Sequence, residues 1–284
     1  CPLAKVESPA HAIDVYSSAL PVLPLERALD VDVALGAPSP DTSAAVVGSI
    51  DQAVRLTQRG YASAIVTNPI QKSVLRRDEF PYPGHTEYLG HLAGDVRTVM
   101  MLVIEGLRVV PVTVHLPIRE VASALTTDDI VTCGRLTASG LQRDFGIAQP
   151  RLAVAALNPH AGEKGRFGDE EARIIEPAVK HLKADGLAVQ GPLPADTLFH
   201  PAAREAFDAV LCMYHDQALI PLKTLDFANG VNVTLGLPFV RTSPDHGTAC
   251  DIATKGIADP SSFTTALRTA HAMSRSRAGV EPAS

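Results

Sequence analysis

With 284 residues, 46% of them hydrophobic and 20% charged, the chain is long enough to bury one or two cores, and its composition excludes a disordered protein. A net charge of −6 lacks the basic excess of nucleic-acid binders, so that class is disfavoured, whereas a small anionic substrate needs only a few local Lys and Arg. Cys1, Cys133, Cys212 and Cys250 form no C-x-x-C pair, which argues against a zinc knuckle or redox motif. Cys212 and Cys250 sit among apolar or small residues and read as buried thiols, which points to a reducing, cytoplasmic compartment. The sequence has no apolar run of membrane-spanning length and no signal-peptide pattern.

In chain order, the first clear element is a buried strand at 62–66, closed by Thr67-Asn68-Pro69. Val99–Ile104 and 107–114 read as two strands of a hairpin turning at Glu105-Gly106. Thr127-Asp128-Asp129 opens a helix to Phe145, and 151–157 is the next strand. A helix over 169–184 places Ile174, Ile175, Ala178, Val179 and Leu182 on one face, with acidic residues in its first turn and Gly186 after its end. Strands at 208–213 and Val231–Leu235 follow, then a helix over 261–272 and a frayed tail after Ser274. Alternating strands and helices predict an α/β fold with a mostly parallel core, and the chain reads as one two-lobed unit over 1–284.

Three histidines each close an apolar, strand-like run: His115 in Val-Thr-Val-His-Leu-Pro, His160 in Leu-Asn-Pro-His-Ala-Gly-Glu, and His215 in Cys-Met-Tyr-His-Asp-Gln. Taken singly, each suits a structural histidine satisfied by backbone. Together, three imidazoles at strand ends suit a divalent metal with positions open for a substrate. Asp216 is placed to orient His215 from behind. His91, His181, His200 and His271 fit this pattern less well. The glycines after His160 fall at 162, 165 and 168, so neither G-x-G-x-x-G nor a P-loop is present, and any nucleotide binds in another way. Gly84-His85-Thr86-Glu87 has the groups to donate to a phosphate, although by itself the stretch reads better as a plain helix cap, with Gly84 or Thr86 at the boundary. Lys223 and Arg241 suit a phosphate or carboxylate clamp, or are solvated charges. The small, polar loop from Asp245 to Pro260 suits close backbone approach to a flat ligand.

Several motifs in order resemble the 4-hydroxythreonine-4-phosphate dehydrogenases of pyridoxal phosphate synthesis. They are Asn158-Pro159-His160-Ala161-Gly162-Glu163, Gly191 to Thr197, Met213-Tyr214-His215-Asp216-Gln217, and Gly230 to Pro238. Thr67-Asn68-Pro69-Ile70 with Lys72, and Gly84-His85-Thr86-Glu87, extend the match, which runs from about Gly48 to Met273. The last loop is similar to the adenine-binding loop of isopropylmalate and isocitrate dehydrogenases, with Thr254 where a glycine is usual.

The resemblance implies an isopropylmalate/isocitrate dehydrogenase-like α/β fold, with two lobes around a central cleft. Family members open with a strand and a Gly/Pro-rich turn that this sequence does not show, so that N-terminal strand is expected to be missing. His115, His160 and His215 become ligands of a divalent metal (Zn, Co or Mg), in a site shared across a homodimer interface. His85, Thr86, Lys223, Asn232 and Arg241 become substrate contacts, and the loop with His246, Gly247, Thr248, Ala249 and Asp251 takes NAD or NADP. The implied reaction is oxidation of the 3-hydroxyl of 4-phosphooxy-L-threonine followed by decarboxylation to 3-amino-2-oxopropyl phosphate. Asp216, Lys223 and Asp196 are the candidates for proton transfer. The rivals are a dehydrogenase of phosphorylated threonate or erythronate or of a cyclic diol carboxylate, a phosphate acyltransferase, and a non-catalytic metal-binding paralogue.

Overall fold

The computed structural model describes residues 1–26, 29, 31–76 and 80–279. Among these residues ten strands are defined: β1 (Leu3–Lys5), β2 (Leu20–Val22), β3 (Ala64–Val66), β4 (Val99–Ile104), β5 (Leu107–Pro111), β6 (Arg151–Ala155), β7 (Ala188–Leu193), β8 (Ala209–Cys212), β9 (Val231–Leu235) and β10 (Val240–Pro244). β1 and β2 form a small parallel pair. The other eight form one sheet in the order β3-β10-β9-β4-β5-β8-β6-β7.

This is an α/β fold with a large central sheet, but the sheet is mixed. Its flanks are parallel (β3 with β10; β5, β8, β6 and β7 in succession), while β10-β9-β4-β5 is antiparallel throughout. The expected hairpin at Glu105-Gly106 is present, with Gly106 at φ 72°. The antiparallel share is larger than expected because β9 pairs antiparallel with β4 and also with β10, a strand that was not legible. Its Arg-Thr-Ser centre reads as loop, yet all five residues are buried. The polar atoms have partners: Arg241 donates to Thr234 Oγ1 and Thr67 Oγ1, and Thr242 donates to the Ala266 carbonyl. Hydrogen bonding makes burial tolerable where periodicity alone predicts exposure.

The helix Thr127–Phe145 has the expected bounds, and its ends carry the reason. Thr126 accepts from the Asp129 N–H as N-cap, and Gly146 closes it in the left-handed conformation at φ 68°. Gly140 lets this helix lie directly on the sheet, because a Cβ there would sit 2.7 Å from Leu235 Cδ2. The expected 169–184 helix begins instead with a π turn, Glu171–Ile175, before the α-helix Glu176–Ala184. The last helix, Ser261–Arg277, runs past the expected end. Arg277 donates to the buried Asp144 carboxylate at 2.6 Å, and Ser276 donates to the Arg143 carbonyl, so tertiary contacts hold a segment that reads as frayed.

Other strand ends differ by a few residues. β5 stops at Pro111 rather than 114, and β6 at Ala155 rather than 157. Cys212 is fully buried, as read, while Cys250 is half-buried. Among the described residues no helix is long and apolar enough to cross a membrane.

Candidate functional site

The sheet brings the histidines to one edge. β5 and β8 are parallel neighbours with Pro111 opposite Cys212, and β6 lies on the other side of β8. Beyond the strands, the Val112 N–H donates to the Cys212 carbonyl and the Thr113 N–H to that of Met213, so the two segments continue side by side. His115 then turns at φ 50°, and His215 opens the helix His215–Leu225. Their ring centroids are 6.0 Å apart. Buried Gln217 ties this edge together. Its Oε1 accepts from the Met213 N–H and its Nε2 donates to the Ala156 carbonyl, both at 2.7 Å.

His160 leaves β6 at the same edge but takes another course. From His160 to Lys164 five consecutive residues have positive φ, between 40° and 74°. Left-handed backbone costs roughly 1–2 kcal/mol at each non-glycine residue. The turn leaves His160 exposed beside Phe167, with ring centroids 6.1 Å apart, and away from the cleft that His115 and His215 line.

That cleft has a volume of about 850 Å³. On one wall Arg241 is only 3% exposed. Its guanidinium donates to Thr234 Oγ1 at 2.9 Å and Thr67 Oγ1 at 2.7 Å, with Asn232 Oδ1 at 3.5 Å. Burial pulls its pKa down to about 10, so it stays charged at neutral pH. A guanidinium held by neutral oxygens keeps its charge for an anion. His85 opens the helix His85–Leu92, and its buried Nε2 has no hydrogen-bond partner among the described residues. Burial first, then the charges of Arg241 and Lys72, hold its pKa near 4, so a neutral imidazole faces the cleft. Lys223 also lines the cleft, 3.0 Å from Asp245.

The fold thus gathers His85, Thr86, His115, His215, Lys223, Asn232, Arg241, His246 and Gly247 around one space. It does not bring the others there. Thr248, Ala249 and Asp251 lie just beyond the rim, with the Thr248 hydroxyl donating to Gln71 Oε1. Asp216 is turned onto His215 and does not line the cleft: Nδ1–H of His215 donates to its carboxylate at 2.7 Å. Asp196 is exposed on the turn Ala195–Thr197, packed near the His160 turn. Sequence reasoning missed Lys72 and Glu87 as cleft residues, although both stand in the motifs that carried the resemblance. The Lys72 Nζ and Glu87 Oε2 both lie within 3.3 Å of where a Cβ on Gly84 would sit, so the glycine makes room for them.

The donor chemistry fits a divalent metal. Burial, then Lys72 and His215, lower the His115 pKa, which favours the neutral form that coordinates. Asp216 occupies Nδ1 of His215 and leaves Nε2 as its free ligand atom, the usual carboxylate–histidine arrangement. Among the described residues, no three His, Cys, Asp or Glu side chains of the one chain gather into a metal-binding group.

Paired imidazoles and a buried cation in one cleft, at the edge of a large mixed sheet, define an α/β protein with a polar, cation-lined cleft. The chain belongs to the PdxA family of pyridoxal phosphate biosynthetic proteins, whose profile matches residues 2–270. It is 59% identical over 247 residues to a 4-hydroxythreonine-4-phosphate dehydrogenase of Paracoccus denitrificans, covering 85% of this chain and 77% of that one. Among solved structures, the 4-hydroxythreonine-4-phosphate dehydrogenase of Klebsiella pneumoniae superposes with a TM-score of 0.85 at 39% identity, over 96% of this chain and 83% of that one. A terephthalate 1,2-cis-dihydrodiol dehydrogenase from Burkholderia xenovorans shares the fold more distantly, with a TM-score of 0.65 at 26% identity, over 100% of this chain and 85% of that one.

Proposed function

We propose that this chain is a metal-dependent dehydrogenase that oxidises the 3-hydroxyl of 4-phosphooxy-L-threonine with NAD or NADP and releases CO2, leaving 3-amino-2-oxopropyl phosphate. The observation that carries the reading is the meeting of His115 and His215 in a cleft also lined by the buried guanidinium of Arg241, whose hydrogen bonds go to hydroxyl and amide oxygens. The names of the relatives agree with it.

His115 and His215 would hold the metal from one chain, and His160 of a second copy would complete the set. The outward turn at His160 supports this division, since it aims the imidazole away from its own cleft. Exposed apolar side chains flank all three histidines: Leu116 and Ile118 near His115, Phe167 near His160, Ile220 near His215. Such a surface favours burial against another copy.

When bound, a divalent cation supplies a Lewis acid that eases loss of the hydroxyl proton and stabilises negative charge on that oxygen. The nicotinamide, bound with the help of the loop at His246 and Gly247, supplies the hydride acceptor. Zn or Co suits an all-imidazole set best. Arg241, His85 and Asn232 hold the phosphate and carboxylate, and Lys72 adds positive charge beside them. Of the side chains considered for proton transfer, Lys223 alone lines the cleft, so that role falls to it.

A mixing experiment tests the shared site. His160→Ala and His215→Ala homodimers are each expected to be inactive. Subunits exchanged between them should recover about a quarter of wild-type turnover, because half of the dimers are hybrids and each hybrid has one intact site. No recovery, with exchange verified, refutes a site split between copies. Full metal content and turnover in either single variant refutes the three-histidine site itself. Turnover on phosphorylated threonate exceeding that on 4-phosphooxy-L-threonine would replace the substrate.

A further inference from the structure

We propose that Glu171 is a positioning residue: its buried carboxylate holds the 159–165 turn in left-handed form and so fixes His160 outward, where it completes the site of a second copy. The inference rests on the shared-site reading above and assigns the device that makes His160 available.

Glu171 is only 4% exposed and has no cationic side chain within ion-pair distance among the described residues. Its oxygens are occupied by the start of the turn. Oε1 accepts from the backbone N–H groups of Leu157 at 2.9 Å and Asn158 at 2.7 Å, and Oε2 accepts from Asn158 Nδ2 at 3.0 Å. Asn158 Nδ2 also donates to Glu170 Oε2 at 2.7 Å. The turn is wrapped closely over these groups. A Cβ on Gly162 would lie 2.6 Å from Glu171 Oε2, and one on Gly168 would lie 2.4 Å from Asn158 Nδ2, so both positions require glycine. Glu171 also opens the π turn Glu171–Ile175, and such turns recur at functional sites.

A buried carboxylate is expensive unless its hydrogen bonds do something that an apolar residue could not. Here those bonds do not join core elements. They fix the root of an exposed turn: His160, Glu163 and Lys164 are exposed, and each has positive φ. Without the carboxylate the chain is free to relax into right-handed backbone, which re-aims His160.

The test compares Glu171→Gln and Glu171→Ala with wild type and with His160→Ala, all as the full chain. Metal-free protein is treated with trypsin, which cuts after Lys164 and Arg166, both exposed. Zinc affinity is measured by calorimetry and Tm is recorded alongside. Glu171→Gln keeps an oxygen for the two backbone donors, so the expected order is wild type, then Gln, then Ala. Cleavage at the two sites should rise about tenfold or more, as local opening becomes easier. Zinc affinity should fall about 10–100-fold, as when groups that orient a ligand are removed. Excess zinc should restore turnover, even where Tm falls by a few degrees for the lost backbone bonds. If Glu171→Ala does not fold, Glu171→Gln decides. Wild-type trypsin resistance and zinc affinity in the Glu171 variants, while His160→Ala loses zinc, overturns the positioning role and leaves the metal site standing. Losses that track Tm and resist excess zinc also overturn it, since they mark a purely structural residue. Undiminished zinc affinity in His160→Ala overturns the shared-site reading and this inference with it.

Discussion

Replacing Arg241 by Met should separate stability from function. The guanidinium is buried, and desolvation pulls its pKa well below the usual arginine range, to about 10. At ~1.4 kcal/mol per tenfold, that corresponds to a penalty of roughly 3 kcal/mol for keeping the charge inside, which methionine removes. Methionine also removes the bonds to Thr234, Thr67 and Asn232, each worth about 1 kcal/mol. The two effects nearly cancel, so the ligand-free variant should unfold within about 1 kcal/mol of wild type. Binding should behave differently. A charge-assisted bond to an anion is worth about 1.5–3 kcal/mol, so kcat/KM should fall roughly 10–150-fold. Urea unfolding without ligand and steady-state kinetics with the phosphorylated substrate check the two halves. A loss of stability above about 3 kcal/mol would show that Arg241 is a structural strut and not a charge held ready. Unchanged kcat/KM would refute the anion site.

Asp144 makes the opposite case. Its side chain is fully buried between Arg143 and Arg277 and does not line the cleft, so Asp144→Ala should cost about 3–5 kcal/mol in urea unfolding with kcat unchanged at low temperature. His85 predicts a pH dependence. Its pKa is lowered to about 4 in the fold, so the unfolded chain binds the extra proton first, and stability should be full above pH 6.5 and decline as pH falls towards 4. Thermal unfolding across that window should show a shallower decline in His85→Gln than in wild type.

The helix was legible from Thr127-Asp128-Asp129 to about Phe145, and the structure shows why its ends are local: Thr126 caps its start and Gly146 its end. The hairpin at Gly106 was legible for the same reason. β10 was not, since Arg241, Thr242 and Ser243 are polar and their burial depends on partners on β9, on the Thr67 segment and on the last helix. The last helix runs past its expected end because Asp144, far away in sequence, holds Arg277. In the site, residue type and motif order singled out the histidines and Arg241. Lys72 and Glu87 stood in the same motifs, but nothing in a linear reading says that a glycine at position 84 leaves them room at the cleft.

The chemistry on offer is written along the chain: three imidazoles in strand-end settings, a few local cations, an α/β alternation and ordered motifs with one family resemblance. These are properties of side chains and short windows, and they survive without coordinates. Which groups meet depends on the fold. The parallel register of β5 and β8 sets His115 beside His215, and a run of left-handed backbone sends His160 elsewhere. Strand order and backbone handedness arise from contacts between residues distant in the chain, and no local pattern encodes them.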